Sequence, residues 1–442
     1  MASTTVVHRI RGVSGLAAAV GLAFTVAACS AGGTSTSPSS GGTVKIGILT
    51  TCGGPFAAFE QESFSGAKFA LVQNAGGKSQ GTKPEDGVSG ATVAGHPIQI
   101  FFGCSDATPD VALKEARRLI QSVGVDVLLG PLSGDEGIAL ANYAKQIPNK
   151  TFVNGTSGAQ QTTLSVKAPN FFRFGGDGAQ WMAGVGTYAY QELKWRNVAI
   201  LGEDYSYPWT QAAGFVAEFC PLGGHIVKRT WVPLGTTDWS SFVAQLPRGI
   251  DGFLVLTGGT DTVAVGKDYL SVGGNLATHA LGGSSVMDPT SFTVGSQLNG
   301  LAGGSPVPLG STDSAWTSYV SGLEGVYPAT PKGSLAGSLF TALYYNGMNA
   351  IIDGLKAVNG DLSGNQSKFQ NALANLTLPT PNGTIKLDSN RNAIISNYVV
   401  QIVTQSDGSL GFKTIKTLAN VNQTFNGYFA PTSQPSRDAP TC

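Results

Sequence analysis

The residues best suited to chemistry in this 442-residue chain lie in five short clusters rich in glycine, serine and threonine. They are Gly53-Gly54, residues 130–134, residues 154–158, Gly258-Gly259 and residues 282–285. Each follows an apolar run and leads into a helical pattern. A helix N-terminus leaves backbone N–H groups free and presents a positive dipole end, which suits a carboxylate or another acceptor-rich solute. One such cluster is an ordinary tight connection between strand and helix. Five of them at one edge of two strand–helix series describe a cleft. Acids stand close by at Asp135, Glu136, Asp204 and Asp261, and Trp181 opens a helical pattern. Asp135 and Glu136 read as solvated partners of a helix dipole, and Trp181 as core or as cleft wall.

Other chemistries lack their residues. The chain has no G-x-S-x-G, no H-E-x-x-H and no G-x-G-x-x-G after its first strand, so no enzyme is expected. Its four histidines, His8, His96, His225 and His279, are scattered and no C-x-x-C occurs, so neither metal nor cofactor is expected. Lys+Arg and Asp+Glu balance at 27 each, which leaves no basic footprint for nucleic acid.

The elements that must position the clusters alternate. Strands are expected at 44–49, 97–102, 126–129 and 151–153. Between them come helices carrying Phe64, Ala67 and Leu71, then Ala112, Ala116, Leu119 and Val123, then residues 136–146. The pattern restarts at 171–174. A helix over 180–193 follows, then strands at 197–201, 225–231, 252–256 and 277–281 and helices at 209–219, 239–245 and 262–271. This alternation predicts an α/β protein with two doubly wound parallel-sheet lobes. A helical stretch over 334–358 follows. The tail reads as antiparallel strands at 383–387, 398–404 and 411–415, with turns at Asp388-Ser389-Asn390 and Asp407-Gly408.

The N-terminus reads as processing signal. His8, Arg9 and Arg11 precede an uncharged run over 12–28, and Val26-Ala27-Ala28-Cys29 resembles a bacterial lipobox. Residues 1–28 are therefore expected to be a signal peptide, and the Cys29 thiol to carry lipid on the outer face of the cell membrane. Residues 29–42 are then a Ser/Gly-rich tether. Four further cysteines, Cys52, Cys104, Cys220 and Cys442, favour disulfides in an exported chain and allow three pairings.

Several segments together resemble the leucine/isoleucine/valine-binding proteins, type I periplasmic binding proteins of ABC importers. They run from Thr50-Thr51-Cys52-Gly53-Gly54-Pro55-Phe56-Ala57-Ala58-Phe59 and Ser65-Gly66-Ala67 through Gly130-Pro131-Leu132-Ser133, Val153-Asn154-Gly155-Thr156-Ser157 and Phe171-Phe172-Arg173-Phe174. They continue at Tyr205-Ser206-Tyr207, Thr237-Asp238-Trp239-Ser240 and Asn397-Tyr398-Val399-Val400-Gln401. The resemblance spans residues 43 to 415. It implies two lobes joined by three crossings, expected near 174–177, 300–304 and 378–383. Lobe 1 would be 43–174 plus 303–380, lobe 2 177–300 plus 382–430, and 431–442 a C-terminal tail. It also implies neighbouring first and second strands, hence the pairing Cys52–Cys104; Cys220 ends a helix of lobe 2 and the tail's last strands belong to the same lobe, which leads to the pairing Cys220–Cys442.

Carried over residue by residue, the resemblance makes Phe59 and Tyr207 aromatic walls and places Ser133, Gly134, Thr156, Ser157 and Gly158 in the segments that grip a carboxylate. Gly134 and Gly158 stand where a serine and a threonine are usual. Ser284 stands where the family places the glutamate that holds an ammonium, and Asp261 where an aromatic is usual. A desolvated ammonium without counter-charge loses several kcal/mol. The expectation is therefore a neutral or anionic solute gripped by loops 133–135 and 156–158 and faced by Ser284 and Ser285. The alternative is an amino-acid binder in which Asp261 or Asp135 replaces the missing carboxylate. The implied function is a monomeric solute-binding lipoprotein serving ABC permease subunits and touching membrane only through its lipid. The alternative is a ligand-sensing receptor domain of the same fold.

Overall fold

The computed structural model describes residues 41–329 and 335–442, so Cys29 and its leader lie outside the described residues. Two sheets organise the chain. The first has six strands in the order Thr92–Val93, His96–Ser105, Val44–Thr51, Val127–Leu129, Thr151–Val153 and Phe171–Phe172, all parallel except the short edge strand. The central strands bury Ile46, Ile48, Val127, Leu129, Phe152 and Val153 completely or nearly so, as helix-covered parallel strands must.

The second sheet begins the same way, with His225–Val232, Asn197–Glu203, Gly252–Leu256, Ala280–Gly282 and Ala302–Ser305 in parallel. It then turns antiparallel through Ala393–Thr404, Gly383–Leu387 and Thr377–Thr380, with Leu410–Val421 also on Ala393–Thr404. The chain is thus α/β with two lobes, each carrying parallel strands.

Several expectations shift in detail. Ala302–Ser305 and Thr377–Thr380 are hydrogen-bonded into the second sheet, whereas the family resemblance puts 303–380 with lobe 1. The second passage therefore begins after Ser305, and the third ends before Thr377. The helix expected over 180–193 is broken into Gln180–Met182 and Val185–Gln191. Glu218 causes the restart, because its carboxylate accepts the N–H groups of Gly184 and Thr187 and caps a new helix there. A helix at Ser314–Val326 was not anticipated. The stretch expected over 334–358 is a helix at Leu339–Ala357, which Ser338 starts by accepting the Phe340 N–H at 3.1 Å.

Cys52 is bonded to Cys104, with Cα atoms 5.2 Å apart, across neighbouring parallel strands. Cys442 is bonded to Cys220 and returns the tail to the second lobe. On the way the tail packs Phe429 against Leu164, Ala179 and Ala213. The first passage between the sheets is fixed by a buried network. Arg173 donates to the Ala159 carbonyl at 2.7 Å and the Thr163 hydroxyl at 3.1 Å, and its Nη1 lies 3.9 Å from Asp177 Oδ2. Among the described residues no helix is long and apolar enough to cross a membrane.

Candidate functional site

Both sheets aim the carboxyl ends of their parallel strands at one place, where open α/β sheets bind ligands. From the first sheet come Phe56 and Phe59 after Val44–Thr51, Leu132 after Val127–Leu129, and Thr156 after Thr151–Val153. From the second come Tyr205 and Tyr207 after Asn197–Glu203, and Ser285 after Ala280–Gly282. Trp181, just past the first passage, and Phe340, at the start of Leu339–Ala357, complete the wall.

These nine residues enclose a cavity with about 10 Å³ of free space, near the minimum for one water. The rings are packed on one another. Phe59 stacks on Phe340 with centroids 3.8 Å apart and on Phe56 at 5.8 Å, and Trp181 meets Tyr207 edge-on at 5.6 Å. The Trp181 indole N–H donates to the Gly175 carbonyl at 2.7 Å, so this residue is both cleft wall and packing. The Tyr207 and Ser285 hydroxyls lie 3.0 Å apart.

The lobes touch across the cleft. A Cβ built on Gly134 would meet Ser206 Oγ at 2.7 Å, and one on Gly158 would meet Tyr207 Cδ2 at 2.5 Å. The serine and threonine usual at these positions would collide with the second lobe in this arrangement. Asp135 accepts the Ser206 N–H at 3.2 Å, so a first-lobe carboxylate sits on a second-lobe helix N-terminus.

Several groups expected to face the solute are engaged within the protein. Thr156 and Ser157 donate their N–H groups to the Pro131 carbonyl at 3.1 and 3.2 Å. Ser133 N–H donates to Glu136 at 3.0 Å. These donors were expected to face the solute, but the turn geometry of their own lobe uses them. Ser284 accepts from Gln211 at 3.2 Å and donates to the Trp181 carbonyl at 3.4 Å, behind the wall rather than on it. Glu136 is not solvated as expected but fully buried, and burial pushes its carboxyl up to about 7. Asp261 is buried too and accepts the Gly235 N–H at 2.8 Å; burial pushes it up to about 6.

Sequence reasoning missed Phe56, Leu132, Tyr205, Phe340 and Glu203 as site residues. Three of them stood inside quoted motifs. Glu203 ends its strand fully buried, its Oε1 accepting the Gly258 N–H at 2.8 Å and its Oε2 without a partner. Its signal was an acid closing an otherwise apolar strand directly before the Tyr205-Ser206-Tyr207 motif. The cysteines beside Glu60 hold no metal, since their sulfurs are bonded to each other.

A family model described as periplasmic binding protein matches residues 43–409. No curated protein matches the chain in sequence. Solved structures of the same fold include a Rhodopseudomonas palustris solute-binding protein of an ABC transporter in complex with benzoate. It is 19% identical, with TM-score 0.72, over 86% of this chain and 97% of that one. A second, from R. palustris HaA2 with p-hydroxybenzoic acid, is 20% identical with TM-score 0.75 over 88% and 100%. A leucine-binding protein from Thermotoga maritima is 18% identical with TM-score 0.70 over 85% and 99%. With most of the described chain inside the family match and both sheets converging on one enclosed cavity, the chain belongs to the periplasmic binding protein family.

Proposed function

We propose that this protein is the capture subunit of an ABC importer, exported and lipid-anchored through Cys29, that closes its two lobes over a small ring-bearing or otherwise apolar organic solute. The observation that supports this most is the aromatic cage between the carboxyl ends of two parallel sheets. Six of its nine wall residues are Phe, Trp or Tyr, each able to give a solute a large apolar contact at little entropic cost. Proteins of this fold include complexes with benzoate and with p-hydroxybenzoic acid, and a leucine-binding protein. The cavity has room for a solute only if the rings part, so capture requires the Phe59–Phe340 stack to open and the lobes to move.

A thermal-shift screen over aromatic acids, amines, amides and amino acids tests the reading. At least one class should raise the melting temperature in proportion to its concentration, and Phe59→Ala should lower that response. A flat response across all classes overturns it. Mass spectrometry of protein from a lipidating bacterial host should find diacylglyceryl on Cys29 as the first residue, and an unmodified N-terminus overturns the anchor.

A further inference from the structure

The charge around the cage and the occupancy of its donors both bear on which solute fits. No Lys, Arg or His is among the nine wall residues. Three acids, Glu203, Asp135 and Asp261, act on the wall residue Tyr205. Glu203 gives one carboxylate oxygen to the Gly258 N–H and leaves the other without a partner. The residue it bonds lies against the wall, since a Cβ on Gly258 would meet Phe56 at 3.1 Å and Ser285 at 3.3 Å. Burial, and after it the nearby carboxyl groups of Glu203, Asp135 and Asp261, hold the Tyr205 hydroxyl well above the ordinary tyrosine range.

Several donors that could receive an anion are meanwhile occupied. Thr156 and Ser157 N–H groups go to Pro131, Ser133 N–H to Glu136, Ser206 N–H to Asp135 and Gly258 N–H to Glu203. Both helix N-termini that face each other across the cleft thus already carry a protein carboxylate. A solute carboxylate would find no cation among the wall residues and, as a neighbour, a buried acid whose carboxyl is pushed well above the usual carboxylate range by burial and by Asp261. An ammonium would find a wall rich in aromatic rings and, behind it, a buried carboxyl oxygen without a partner.

On these grounds, and resting on the solute-capture reading above, we infer that the solute carries a positive charge. It is a primary or alkylated amine on an apolar or ring-bearing body, without a carboxylate, and Glu203 is its counter-charge behind the aromatic cage. This reverses the expectation from Ser284 alone. The acid that the family places after one strand is supplied here from the end of another.

Calorimetric titration at pH 7.5 with matched probes tests this. Benzylamine, benzoate and benzyl alcohol share a ring and differ in charge, and choline and 3,3-dimethylbutanol do the same without one. The cations should bind at least about 10-fold tighter than their partners, as a hydrogen bond to a charge exceeds one to a neutral group. Glu203→Gln should remove that preference and leave benzyl alcohol within about 3-fold of its original affinity. The order among probes in the unaltered protein decides the matter even if the variant fails to fold. Benzoate binding tighter than benzylamine, or a preference that survives Glu203→Gln, overturns the inference and leaves solute capture intact. No heat from any probe, with leucine and valine included, counts against both.

Discussion

In the first lobe the loops beyond the strands turn their polar groups inward. Pro131 takes two N–H groups, Glu136 takes another, and Phe56, Phe59, Leu132 and Phe340 are left to face the cavity with the Thr156 hydroxyl. In the second lobe the same kind of loop keeps polar chemistry at the wall. Tyr205, Tyr207 and Ser285 line it, and Glu203 and Asp261 stand behind. Two sheets built by one rule therefore present an apolar jaw and an acidic, hydroxyl-rich jaw. The difference lies in what terminates each strand. An N–H captured by a carbonyl of its own turn is lost to ligand, whereas a carboxylate at a strand end stays available because only one of its oxygens is used.

The buried acids of the two jaws give the largest expected effect. Burial raises Glu136 to about 7 from its ordinary 4.5, so the folded protein holds that proton more tightly than the unfolded chain does. The stability it contributes is complete below pH 4.5 and is lost as pH rises through about 7. The loss is on the order of 3 kcal/mol, since each tenfold gain in proton affinity on folding is worth about 1.4 kcal/mol. Denaturant unfolding at pH 5 and pH 8 should show the protein more stable at the lower value, and Glu136→Gln should shrink the difference, with Glu62, Glu203, Asp261 and Asp288, raised by burial as well, keeping the rest. A difference as large in Glu136→Gln as in the unaltered protein would show that Glu136 does not carry it.

Contact between the jaws comes next. Gly158→Val adds atoms where a Cβ already meets Tyr207 at 2.5 Å. Overpacking of this kind costs about 1–3 kcal/mol, so solute affinity should fall roughly 10- to 100-fold. The melting temperature without solute should change far less, because an open cleft has no such contact. Equal losses in both would mean that the lobes do not separate.

The smallest effect compares single hydroxyls on the two jaws. Ser285→Ala leaves the Tyr207 hydroxyl without its 3.0 Å partner, and affinity should fall by about 0.5–1.5 kcal/mol. Thr156→Val, on the apolar jaw, should cost less, because its hydroxyl reaches only the Leu132 carbonyl at 3.5 Å. Calorimetry on both variants that ranked Thr156 above Ser285 would reverse the assignment of the jaws.

What was legible in the sequence followed from local rules. Strand–helix alternation placed both sheets; the loop clusters pointed to Thr156 and Ser285, a helix start to Trp181 and the family resemblance to Phe59 and Tyr207, all of which line the cavity. Helix Ser314–Val326 was missed because serine and glycine interrupt its apolar face and proline follows it. The break at Gly184 depends on Glu218, a residue of a different helix. Phe340 and Glu203 could not be placed by spacing. Phe340 meets Phe59 only because its helix packs back on the first lobe after passing through the second, and Glu203 acts across a strand boundary onto Gly258. The free donors expected at residues 133 and 156–157 failed for a similar reason, since a turn's own hydrogen bonds depend on conformation rather than composition.

Small-angle scattering tests most directly the claim that two jaws close over a solute. It would be recorded on the unaltered protein alone and with whichever probe binds in the titrations, at saturation. The account predicts a smaller radius of gyration with the probe bound and no such change in Gly158→Val. A radius unchanged at proven saturation of the unaltered protein would contradict a hinged, solute-capturing cleft.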